Sequence, residues 1–161
     1  MKILVNGVQY EAYNLILTKE NAAAIVSGKK RLESRCFSAF YQKMFLNINN
    51  FNRFITRLNN GLQPYTDTAH PIFKKPFLPT DAPEKRMAVH FTNRQHSWFL
   101  DVLLKEQFVE FLTAESVEKL GEEFDFHDFD YLLPELARLK DTDKVANNFF
   151  FVIDKVLQTN L

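Results

Sequence analysis

The stretch KENAAAIVSGKKRLESR, Lys19 to Arg35, reads as a short amphipathic helix, a glycine stop and a run of charge. Ala22, Ala23, Ile25 and Val26 form its apolar side, Thr18 stands where an N-cap belongs, and Gly28 suits a left-handed C-cap. Beyond the glycine, Lys30 to Arg35 reads as a strand. Strand alternation sends Arg31, Glu33 and Arg35 to one face and Lys30, Leu32 and Ser34 to the other. Lys29, Lys30, Arg31 and Arg35 surround a single acid, Glu33, at the point where a helix hands over to a strand. Arg31, Glu33 and Arg35 make either a structural ion-pair ladder or a grip for phosphate, since guanidinium groups match phosphate bidentately.

Upstream, Ile3, Val5, Val8 and Tyr10 alternate around Asn6-Gly7, which predicts a small hairpin with an Asn-Gly turn. Tyr13 to Leu17 predicts a buried strand. Downstream, apolar residues recur at three- and four-residue spacing from Phe37 to Leu58, which predicts a long helix. Its other face is polar and basic, with Lys43, Arg53 and Arg57, and no acid occurs from Phe37 to Thr66. Such a helix either packs with a solvated face or lies on an anionic surface. Residues 62–85 hold five of the six prolines and read as a long irregular connection. His70 in that connection reads as an ordinary loop residue.

Met87–Phe91 and Trp98–Leu104 predict a hairpin, Phe108–Leu112 a further short strand, and Thr113 the cap of a helix. His90 and His96 lack the cysteines or carboxylates that metal-site spacing requires, so no metal is expected and His90 reads as packed or hydrogen-bonded. The segment 114–143 is acidic. Its Asp125–Asp130 cluster is not an EF-hand loop, because glycine and the closing glutamate are misplaced, and it reads as a solvated turn before a second helix at 131–139. Asn148–Val156 is the strongest strand, and its continuous apolar run predicts burial on both faces.

At 161 residues and 46% hydrophobic content the chain reads as one domain with a core. No apolar run nears the roughly 20 residues of a membrane span. The opening MKILVNGVQYEAY has no signal-peptide pattern. The single cysteine, Cys36, excludes an internal disulfide and fits a cytoplasmic location, and it reads as an inert thiol. The formal net charge of zero hides a balance of +8 over residues 1–100 and −8 over 101–161. Either the halves neutralise each other in the fold, or a basic face awaits phosphates. Most of the seventeen phenylalanines are expected in the core.

The order strand, helix, glycine, basic strand, hairpin, acidic helices and final strand resembles the ASCH family of the PUA-like superfamily. The resemblance rests on Leu15-Ile16-Leu17 with Ala24–Arg35, similar to the family's strand-helix-G-x-K-x-x-E-x-R pattern. It rests also on Trp98–Val102 with Phe108–Leu112, and on Phe149–Ile153. It covers roughly 1–35 and 87–161, and leaves an insert at about 37–85 within a single domain, 1–161. It implies an α+β fold, a small mixed β-barrel with flanking helices, and a basic cleft at the barrel mouth for RNA or a nucleotide. Lys29, Lys30, Arg31, Arg35, Arg53 and Arg57 are the candidate nucleic-acid contacts. Some relatives are amidohydrolases on acylated pyrimidine nucleosides, and others have been proposed as ribonucleases. On that reading Lys30, Glu33 and an acid at Glu122 or Glu123 are the catalytic candidates, with no cofactor. Glu33 stands where those hydrolases carry threonine, which removes a nucleophile. Tyr41, Trp98 or a nearby Phe is a candidate for stacking on a base. A third reading is a protein-interaction domain whose basic helix binds an acidic partner.

Overall fold

The computed structural model describes residues 1–46, 86–140 and 146–161. The fold is α+β. Its strands, β1 (Lys2–Val5), β2 (Val8–Ile16), β3 (Leu32–Cys36), β4 (Ala88–Thr92), β5 (Phe99–Phe111) and β6 (Asn147–Thr159), form a six-stranded mixed sheet in the order β1-β2-β4-β5-β6-β3. Among the described residues this order is open, with β1 and β3 at its edges. The helices are α1 (Lys19–Val26), α2 (Ala39–Phe45), α3 (Ala114–Phe124) and α4 (Leu133–Leu136), the last preceded by a 3-10 turn at Asp130–Leu132. The chain divides into two compact units: Met1–Glu33, Arg86–Gln107 and Phe151–Leu161 form the first, and Ser34–Lys85 with Phe108–Phe150 the second.

The first unit starts with the expected hairpin. Asn6 and Gly7 both take positive φ, 50° and 80°, as a tight primed turn requires, and Val5 faces Val8 across it. The second strand does not stop at Tyr10. It runs on through Tyr13 and Leu15 as one strand, β2, pairing in parallel with β4 from Ala12↔Ala88 to Ile16↔Thr92. The hairpin β4–β5 is antiparallel, with His90 opposite Asp101. Tyr13, Leu15, Val89, Phe91, Leu100, Val102 and Phe151 are buried in this unit.

The α1 helix follows the sequence reading. The Thr18 side chain accepts from the Asn21 N–H at 3.3 Å, and Ala22 and Ile25 are buried. Gly28 has φ +77°, a conformation that costs a Cβ-bearing residue strain, and the chain then doubles back so that the Lys30 N–H donates to the Ala24 carbonyl at 3.0 Å. That bond keeps Lys30 in the turn, and β3 begins only at Leu32.

In the second unit, Ser38 caps α2 by accepting from the Tyr41 N–H. Of the expected helix from Phe37 to Leu58, the described part is α2, Ala39–Phe45, after which Leu46 is extended (φ −108°, ψ 146°) with its side chain buried. Asn47–Leu58 and the proline-rich stretch 62–85 lie outside the described residues. Phe37 stacks on Phe149 with centroids 4.8 Å apart, and Phe45 meets the same ring edge-on at 5.0 Å.

Phe108–Leu112 is not a separate strand. Polar Lys105-Glu106-Gln107 carries β5 on without a break, since a strand with a solvated face tolerates polar residues. Thr113 and Ser116 form a reciprocal capping box on α3: the Thr113 side chain accepts from the Ser116 N–H, and the Ser116 side chain from the Thr113 N–H. The expected second helix at 131–139 is shorter, a 3-10 turn followed by α4, with Pro134 in the first turn of α4. Phe149, Phe150 and Phe151 are all buried, as expected of a strand covered on both faces.

Candidate functional site

The turn between α1 and β3 places an ion pair where the strand reading had separated its members. Lys30 Nζ lies 3.2 Å from Glu33 Oε2, and it donates to Asn21 Oδ1 at 3.3 Å. The expectation that Lys30 and Glu33 face opposite ways is therefore corrected. Strand alternation starts two residues after Lys30, and the turn leaves its side chain free to curl back over Glu33. Glu33 is 4% exposed and the Lys30 side chain 14%, so both groups have given up most of their water. A carboxylate withdrawn this far needs a cation and hydrogen bonds to remain charged at low cost. The pair rests on three anchors: the α1 helix through Asn21, the Gly28 turn, and the Arg31 carbonyl, which accepts from the Ile153 N–H at 2.9 Å.

Lys29 and Arg31 flank this pair and are exposed. Arg35 belongs to the second unit, where its guanidinium carbon lies 5.9 Å from the centroid of the Tyr41 ring, within cation–π reach. Cys36 is exposed at the end of β3. Arg53 and Arg57 lie outside the described residues.

Glu123 also belongs to the second unit. It lines a surface cavity of about 190 Å³ together with Glu110, Glu115, Lys119 and the rings of Phe108 and Phe124. Burial pushes the Glu110 carboxyl up to about 7; the nearby Lys119 ammonium and a backbone hydrogen bond at Phe111 oppose the rise, and Glu115 adds to it. Sequence reading missed this cavity, because it is lined jointly by β5 and α3, whose packing a pattern along the chain does not contain.

A second arrangement was half legible. His90 is hydrogen-bonded, as expected. Its partner is Asp101, with Nδ1 to Oδ1 at 2.5 Å, and Asp101 Oδ2 accepts from Gln158 Nε2 at 2.7 Å. Asp101 is buried, and each of its carboxylate oxygens has one of these partners. Pairing 88–92 against 99–103 would have put the two residues opposite each other. His127 lies on the exposed turn after α3, and its pKa is raised by hydrogen bonds to Asp125 and Asp130. Among the described residues no group of three or more His, Cys, Asp or Glu is placed to hold a metal ion, and no helix is long and apolar enough to cross a membrane.

No protein-family model, no curated protein and no solved structure matches this chain.

Proposed function

We propose that the chain is an RNA- or nucleotide-binding domain of the ASCH type, with a PUA-like barrel, that meets its ligand at the turn between α1 and β3. The observation that carries this reading is the largely buried Lys30–Glu33 pair, whose lysine stands in the chain between two exposed cations, Lys29 and Arg31. The helix, the positive-φ glycine and the lysine–glutamate pair occur in the order that the resemblance implies. Lys29 and Arg31 supply charge to phosphate oxygens, where most of the affinity for nucleic acid arises. Glu33 is too deeply placed to read a base edge, so its part is to position Lys30.

A second reading uses the same ammonium. Lys30 is held mostly out of water beside a carboxylate, an arrangement suited to moving a proton during hydrolysis of an acylated pyrimidine nucleoside. Glu33 in place of threonine ranks it second.

Fluorescence anisotropy of a labelled single-stranded RNA, across a series of salt concentrations, tests the first reading. Replacing both Lys29 and Arg31 by alanine is expected to flatten the slope of log affinity against log salt by about 1.4, at about 0.7 per phosphate contact. An unchanged slope rejects the binding assignment. Turnover of an N4-acylated cytidine that is lost in Lys30→Arg, with RNA affinity kept, moves the assignment to the hydrolase.

A further inference from the structure

The aromatic residues of the second unit do not all end in the core. A chain of ring contacts leads outward from Phe149, which is fully buried, to Phe45 edge-on at 5.0 Å, then to Tyr41 stacked on Phe45 at 5.3 Å with planes 6° apart. The last step is Phe40, edge-on to Tyr41 at 5.1 Å and 66% exposed. Arg35 adds its cation–π contact to Tyr41. Each ring is held by the one behind it, and α2 starts from a side-chain cap at Ser38. Phe40 is thus a large apolar ring presented to water on a supported helix, not at a loop tip.

Its neighbour on this side of α2 is a cation. Lys43 is exposed three residues further along α2, on the same side of the helix as Phe40. The sequence has no acid from Phe37 to Thr66. An exposed aromatic ring beside an exposed cation matches the way proteins hold unpaired nucleotides: the ring stacks on the base and the cation meets the phosphate.

We infer that Phe40 is a stacking platform for an unpaired base of single-stranded RNA, with Lys43 engaging the adjoining phosphate. The inference rests on the nucleic-acid reading above and names a contact which that reading lacks. Stacking is tolerant of base identity, so the site favours single strands over duplexes without selecting a sequence.

The test uses the full chain, a fluorescein-labelled oligoadenylate of about 12 nucleotides, and a matched strand lacking bases. Phe40→Ala is expected to weaken binding of the oligoadenylate by roughly 5- to 100-fold and to leave the salt slope unchanged. Phe40→Trp is expected to keep the affinity, and the strand lacking bases to be insensitive to both. Phe40 lies at the surface, so its variants are expected to keep the wild-type thermal transition. If the wild type binds RNA and Phe40→Ala binds as well, the stacking platform is rejected while the Lys29–Arg31 reading stands. Equal losses on the strands with and without bases also reject it. A wild-type chain that binds neither strand rejects both readings. If sedimentation shows a wild-type dimer that Phe40→Ala dissolves, with RNA affinity intact, the ring covers a second copy instead.

Discussion

Glu33 and Glu110 are both carboxylates withdrawn from water within the influence of a lysine, and they differ in what that lysine does. Lys30 is fixed 3.2 Å from Glu33 and is itself largely buried, tied to α1 through Asn21. Lys119 is a surface side chain, about three-fifths exposed, with an ion pair to Glu115 at 3.6 Å across one turn of α3. Its attraction for Glu110 does not overcome the cost of burial, and the Glu110 carboxyl titrates near neutrality. The two lysines therefore differ in how they are held. What matters is whether the backbone holds the cation there. For Lys30 the holding is done by the Gly28 turn and the hydrogen bond to the Ala24 carbonyl.

The largest effect follows from breaking the tighter pair. Lys30→Met keeps much of the side-chain volume and leaves Glu33 with a buried charge lacking its ammonium. Breaking a buried pair from one side costs about 3 kcal/mol or more, and the group left behind, Glu33, is 4% exposed. In a chain of this length that lowers the melting temperature by roughly 10 °C. Thermal denaturation checks it. A loss under about 1 kcal/mol would place the Lys30–Glu33 pair with ordinary surface ion pairs, and the contrast with Glu110 would collapse.

The parts of this contrast that were legible in sequence are the local ones. Thr18, Gly28 and the Asn6-Gly7 turn announce themselves, because cap and turn chemistry needs particular side chains at particular dihedral angles. The apolar run at Phe149–Val152 announces a covered strand for the same kind of reason. The pairing of Lys30 with Glu33 was hidden, because it depends on where the turn ends and β3 begins. Shifting that boundary by two residues turns opposite faces into a contact. Asp101, the partner of His90, was hidden because it is joined through the register of β4 against β5. The end of α2 at Phe45 was hidden because the apolar spacing beyond it suits a helix equally well. The open order of the described sheet follows from pairings between distant strands, which a pattern along the chain does not contain.

A smaller effect, of opposite sign, is expected at Glu110. Its folded-state pKa is raised from 4.5 to about 7, so the folded chain holds this proton more tightly than the unfolded chain does. The stability it contributes is present at low pH and is lost as pH rises from about 4.5 through about 7, after which no further loss occurs. Glu110→Gln keeps the shape and removes the charge. The variant is expected to match the wild type at pH 4.5 and to exceed it at pH 8 by about 1 kcal/mol, the full shift being discounted because the side chain remains partly in solvent. Urea denaturation of both proteins across this range measures the difference. A variant less stable than the wild type at pH 8 would mean that Glu110 is held as an anion, as a paired carboxylate would be.

The smallest effect isolates Lys119. Lys119→Ala removes the charge that opposes the rise at Glu110 and frees Glu115, which reinforces it. Both changes push the Glu110 titration midpoint further up, while the stability of the chain at neutral pH moves by no more than about 0.5 kcal/mol, as is usual for an exposed pair. The carboxyl chemical shift of Glu110 followed through a pH titration reports the midpoint directly. An upward move would show that even a mobile surface lysine moderates the acid, and that Lys30 differs from it in degree. An unmoved midpoint would show that solvent screens Lys119 completely. The contrast between the two regions would then rest on the fixed backbone at Lys30, where the ammonium is held 3.2 Å from its carboxylate and largely out of water.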